Sequence, residues 1–151
     1  MTYIGYILVG LLAAALALMA YVRLAPVNAA VWHDTGLPMM EPGQYPAEGS
    51  FIEQRRLDGG GGDVLARLDA IIRETPRTQR VAGSVETGKI TYVTRSRVMG
   101  FPDYTIVTLM QSPDGTASTL QVYGRLRFGK ADLGVNRARI LGWLAALDAG
   151  R

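Results

Sequence analysis

A chain of 151 residues has room for one domain of ordinary size plus an appendage. It contains no cysteine, which excludes disulfides, thiolate metal centres and thiol catalysis, and a single histidine, which leaves no multi-histidine metal site. The net charge of +3 is unevenly spread: four arginines face eight acids from Leu24 to Pro76, whereas ten cations face four acids from Arg77 to Arg139, so the second half is the one that attracts an anion.

The first element is the longest apolar run. Tyr3 to Val22 carries no charge over twenty residues, and as a helix it would span about 30 Å, the thickness of a bilayer's hydrocarbon core. Residues 1–23 therefore read as a single-pass transmembrane anchor, with Tyr3, Tyr6 and Tyr21 near its ends for the interface and Arg23 closing it. A cleaved secretory signal is the competing reading, since Val27–Ala29 has the small residues of a cleavage site; against it, no Lys or Arg precedes the run, and the run exceeds the roughly 7 to 15 residues of a signal core. Gly5 and Gly10 miss the four-residue spacing of close-packed helix dimers, so a partner helix is allowed rather than demanded.

Residues 24–50 are punctuated by Pro26, Pro38, Pro42 and Pro46, which forbid a long helix and predict a linker that packs on the domain through Trp32, Leu37 and Met39. His33, alone, reads as a capping or interface residue; no metal site and no cofactor is expected. The α+β domain then occupies 51–151. "FIEQRRL" (51–57) predicts an edge-like strand, the glycines at 59–62 a break, and "DVLARLDAIIRET" (63–75) an amphipathic helix with Val64, Leu65, Leu68, Ile71 and Ile72 on one side. A dinucleotide fingerprint is excluded there, because the strand is charged and the third glycine is missing. "GSVETGK" (83–89) imitates a phosphate loop, yet Ile90 stands where Ser or Thr must bind magnesium and a strand follows where a helix should open. Gly88 and Lys89 instead turn a hairpin, and further strands are predicted over 89–98, 104–111 and 119–128 before an apolar final helix carrying Ile140, Trp143, Leu144 and Leu147. The expected architecture is an N-terminal transmembrane helix followed by an antiparallel sheet of about four to five strands with two helices packed on one face.

Residues two apart in a strand share a face, so Arg95 with Arg97 and Arg125 with Arg127 are pairs. Each pair is followed by a glycine and an aspartate: Gly100 and Asp103 after the first, Gly129 and Asp132 after the second. Three readings stand: a solvated face, a contact surface for a protein or membrane, or an anion site in which four guanidiniums bind phosphate or carboxylate. Asp132 can accept amide hydrogens from the first turn of the last helix, and Asn136 falls on that helix's apolar stripe, where its amide must find partners; both read as a structural lock. No catalytic constellation is present: the lone histidine is far upstream, and each acid near these arginines has a cation within reach. Few aromatics and no basic run argue against nucleic acid.

"TYVTRSRVMGFPDYTIV" and "RLRFGKADLGVNRARILGWL" resemble the paired signatures of the family catalogued as domain of unknown function 1499, over roughly Trp32 to Leu147, with "DLGVNR" (132–137) the most specific part. Arg95, Gly100, Arg127, Asp132, Gly134, Asn136 and Arg137 match its pattern, to which no role is assigned. The resemblance implies a bacterial or plastid protein behind a membrane or export segment, hence a bacterial inner-membrane protein with a periplasmic domain. The function expected is a non-catalytic accessory or interaction module, such as a small subunit beside a larger membrane complex, with the bilayer and another membrane protein as partners; the alternative is a binding domain for an anionic small molecule or lipid headgroup.

Overall fold

The computed structural model describes residues 2–150. Helix α1 (Thr2–Leu24) is continuous over 23 residues, about 34 Å at about 1.5 Å per residue. Within Tyr3–Leu24 an 18-residue window has a mean hydropathy of 2.2, so the helix is long and apolar enough to cross a membrane. Its leucines and tyrosines stand exposed along its length, and only near its C-terminal end does a side chain, Val22, become buried against the domain. An apolar helix this bare needs a non-aqueous surrounding or another helix.

Six strands form one antiparallel sheet: β1 (Gly43–Ala47), β2 (Ser50–Asp58), β3 (Thr78–Ser84), β4 (Lys89–Arg95), β5 (Pro102–Gln111) and β6 (Ala117–Leu126), in the order β1-β2-β6-β5-β4-β3. The sheet has more strands than the expected four to five. The additional one, β1, lies inside the proline-rich 24–50 stretch, where Pro46 is tolerated because an edge strand leaves one side of its backbone unpaired. A short helix, α2 (Ala29–His33), lies in the same stretch, capped by the Asn28 side chain.

Between β2 and β3 the chain crosses the whole sheet through α3 (Gly62–Glu74), then meanders back through β4 and β5 to β6, which closes against β2. Helix α4 (Val135–Ala149) returns over the same face and packs on α3, β2 and β6. Period-two alternation sends Phe51, Leu57, Ile90, Tyr92, Val107, Leu120 and Val122 to this face. They meet Leu65, Leu68 and Ile72 of α3 and Ile140, Trp143, Leu144 and Leu147 of α4. Each such residue fully buried contributes about 1.5–3 kcal/mol.

The opposite face is not bare. The segment after α1 lies across it, with α2 on β3, β4 and β5. Trp32 stacks on Tyr104 with ring centroids 3.9 Å apart and planes 5° from parallel. The buried Gln54 amide bonds Met40 in both directions, while Gln121 Nε2 donates to Pro38 O at 3.1 Å and to Gln54 Oε1 at 3.0 Å, so two sheet amides serve as backbone partners for an otherwise irregular strap.

Candidate functional site

Strands β4 and β6 finish, and β5 begins, at the end of the sheet where α1 arrives. Register places Val93, Tyr104, Arg125 and Ser50 in one row across this end, with Arg95 and Arg127 one pleat further on the same face. Three of the four candidate arginines are thus brought together, and all three are engaged by the incoming chain. The Arg95 guanidinium donates to Val22 O at 3.3 Å and to Gly100 O at 3.1 Å. Arg127 donates to Pro26 O at 2.7 Å, with a weaker 3.4 Å contact to the Tyr104 hydroxyl. The last carbonyls of a helix lack intrahelical partners and carry the negative end of its dipole, so a guanidinium is stabilising there. Arg125 lies with its guanidinium carbon 4.4 Å from the Trp32 ring centroid and 5.6 Å from that of Tyr123, a cation held by aromatic faces.

Arg97 goes elsewhere. It stands, exposed, beyond β4 in the 96–101 loop and has no hydrogen-bond or ion-pair partner among the described residues. That loop folds against α1: Arg23 donates to Val98 O at 2.7 Å, and Gly100, at φ +74°, approaches so closely that a Cβ there would sit 2.7 Å from Arg23 Cγ. Glycine is required by both the backbone conformation and the contact. Arg97, Arg95, Arg23 and Arg77 line a cleft of about 420 Å³. Two of these, Arg23 and Arg77, are not visible as site residues in the sequence. Arg23 reads only as the end of an apolar run, and Arg77 follows α3 in a turn with no pattern of its own.

The remaining motif residues build the root of α4. Asp132 accepts from the backbone N–H groups of Gly134 (3.1 Å) and Asn136 (2.9 Å). Burial pushes its carboxyl up, but those hydrogen bonds together outweigh burial and hold it below the ordinary aspartate value. Leu133 and Gly134, at φ +52° and +80°, make the left-handed turn between the aspartate and the helix. Asn136 is fully buried; its Oδ1 accepts from Arg139 at 2.9 Å, and its Nδ2 has no partner among the described residues. Arg139 also pairs with Asp103 at 3.2 Å, whose carboxyl is raised by burial and drawn back by that arginine. Arg137 reaches the edge strand, at 3.4 Å from Gln44 Oε1 and over the Phe51 ring.

Acidic groups are occupied in the same manner. Buried Asp69 accepts from Tyr92 Oη at 2.7 Å and has Arg73 and Arg80 at 3.7 Å; burial, then the aspartate, pushes the Tyr92 hydroxyl pKa upward. His33 Nδ1 is 2.8 Å from Thr91 Oγ1. Among the described residues no three His, Cys, Asp or Glu gather to hold a metal.

A family model described as protein of unknown function (DUF1499) matches residues 29–147, from the start of α2 to near the end of α4. No curated protein matches the chain. The matched span holds the sheet, the arginine end and the root of α4, and by it the chain belongs to the DUF1499 family.

Proposed function

We propose that this protein is a single-pass membrane-anchored, non-catalytic accessory module whose domain works at a fixed height and orientation on the bilayer, beside a larger membrane protein. The observation that carries the reading is the joint between α1 and the sheet. Arg95 and Arg127 bind carbonyls at and just after the helix end, Val22 is buried, and Trp32 is stacked between Tyr104 and Arg125. Ordering such a segment costs roughly 1–2 kcal/mol per residue in backbone entropy. A domain that only had to be kept near a membrane would be served by a loose tether; a stapled joint serves one that must present the same surface in the same place. Against a catalytic role stand the engaged acids Asp69 and Asp103 and the engaged His33. The family's habit of following a membrane or export segment supports placing the domain on the periplasmic side of a bacterial inner membrane.

Extraction of the full chain from its own membrane in mild detergent tests this. The protein is expected to migrate with a second membrane protein, well above the 16.3 kDa of the chain. Trp32→Ala, which loosens the joint while leaving the helix-side core intact, is expected to release that partner with the domain's circular dichroism unchanged. Migration as a lone monomer in both forms overturns the reading. Protease added to spheroplasts is expected to cut the domain; full protection overturns the periplasmic placement.

A further inference from the structure

The cleft between the end of α1 and the sheet concentrates positive charge with no carboxylate lining it. Four guanidiniums, from Arg23, Arg77, Arg95 and Arg97, line it together with the neutral donors Gln79 and Ser96. Outside the cleft four arginines pair with acids, Arg55 with Glu53 and Asp148, Arg73 and Arg80 with Asp69, and Arg139 with Asp103, while Arg67, Arg125, Arg127 and Arg137 each rest on neutral groups. Here the partners are neutral carbonyls. Arg23 donates to Val98 O, Arg95 to Val22 O and Gly100 O, and Arg77 to Arg95 O at 3.1 Å. These bonds fix each guanidinium in place, and beyond the partial negative charge of the helix end at Val22 O they supply no anion to offset it. A guanidinium has five N–H donors, and no more than two of each are used by these bonds. Arg97 is unengaged among the described residues.

Backbone geometry points the same way. Arg77 is held at φ +61°, a left-handed conformation that disfavours any side chain, and it puts a guanidinium in the cleft where glycine would relieve the strain.

We infer that this cleft is a binding site for a phosphate group, and that the phosphate is the headgroup of an anionic phospholipid. Several guanidiniums converging on one space suit the oxygens of a phosphate, each able to accept charge-assisted hydrogen bonds. Position selects the lipid as source. Arg23 is the penultimate residue of a helix of bilayer length, which puts the cleft at headgroup level, within reach of lipid phosphates. Leu24 and Val98, the chain neighbours of the cleft residues Arg23 and Arg97, are 81% and 70% exposed, and apolar side chains so bare beside a charged cleft suit a lipid interface better than open water.

The test uses the full chain purified in a maltoside detergent and offered equal amounts of phosphatidylglycerol and phosphatidylcholine, with retained lipid read by native mass spectrometry. Preferential retention of phosphatidylglycerol is expected. Arg97→Ala is expected to lower that preference about fivefold, the effect of one cation near an anionic surface, and Arg97→Glu to abolish it. Arg56→Glu makes the same charge change at an exposed position toward the other end of β2 and is expected to leave the preference intact. Because Arg97 holds nothing in place, its variants should keep the thermal midpoint of the parent, and Arg97→Gln serves should the reversal fail to fold. A second arm titrates inorganic phosphate into the lipid-free protein: stabilisation by phosphate with no retention of phosphatidylglycerol overturns the lipid assignment in favour of a dissolved anion. Equal retention of both lipids with no effect of phosphate, or loss of preference in Arg56→Glu equal to that in Arg97→Glu, overturns the site itself. None of these readouts needs a second protein, so the accessory role and the lipid site fail separately.

Discussion

His33 shows how one side chain can link the strap to the sheet and to pH. Its ring lies on Thr91, a fully buried strand residue. Burial, then the nearby Lys89, lowers its pKa from 6.5, while Asp34 opposes them. The native state therefore prefers the neutral ring more than the unfolded chain does. As pH falls below 6.5, unfolded chains take up the proton first, so stability is fully present above that value and is lost as pH falls through the lower native pKa. The thermal midpoint of the full chain is expected to drop as pH falls from 6.5 through the native pKa, and His33→Gln is expected to remove that drop. A midpoint equally pH-dependent in the variant would assign the effect to other groups. Asp132 does not contribute in this window, because a depressed carboxyl loses its stabilisation only in more acidic solution, below the ordinary aspartate range.

At the scale of elements, the docking of α4 on β6 depends on a missing side chain. Gly124 lies under the helix, and a Cβ there would be 2.9 Å from Ile140 Cδ1 and 3.1 Å from Asn136 Oδ1. Both neighbours are fully buried, so neither has room to move. Gly124→Ala is expected to cost about 1–3 kcal/mol in urea unfolding, the usual penalty of overpacking; an unchanged midpoint would mean that α4 can shift on the sheet. The two helices and the five strands from β2 to β6 are legible in the sequence, because apolar residues recur at their own periods there and Gly, Pro and Asp mark the turns between them. Strand β1 and helix α2 are not. They are held by Gln54, Gln121 and the Trp32–Tyr104 stack, partners far away in the chain, and the prolines around them signal a linker. The same distinction holds for the site. Spacing shows that Arg125 and Arg127 share a face, yet their attachment to Trp32 and Pro26 depends on a strap whose path no local pattern specifies. The cleft is further from view still, since Arg23 and Arg77 reach it from separate parts of the chain, one ending α1 and one following α3.

For the whole molecule, the joint makes the direction of α1 a property of the sheet. A helix attached through a flexible linker samples a cone of directions; one with a carbonyl in its last turn and another just past its end each bound by an arginine, and a tryptophan of the following segment stacked on the sheet, is confined. The chain has no cysteine, so a pair introduced at Leu12, midway along α1, and at Met110, near the far end of β5, would be the sole labelling sites. Both positions are exposed, at 62% and 54%, and labels there should not disturb packing. In lipid nanodiscs, electron–electron distance measurements between the two labels are expected to give one narrow distribution. Arg127→Ala removes the 2.7 Å bond to Pro26 O, and Trp32→Ala removes the ring on which Arg125 rests. Each is expected to broaden the distribution, and the two together to broaden it further, because they hold successive points of the same strap. A broad distribution in the parent protein would mean that the bonds at the helix end do not hold the domain in place. The accessory role would then lose its footing. With a narrow parent distribution, by contrast, Arg23 is held beside Arg77, Arg95 and Arg97, and the phosphatidylglycerol preference should weaken in the joint variants even though their cleft arginines are untouched.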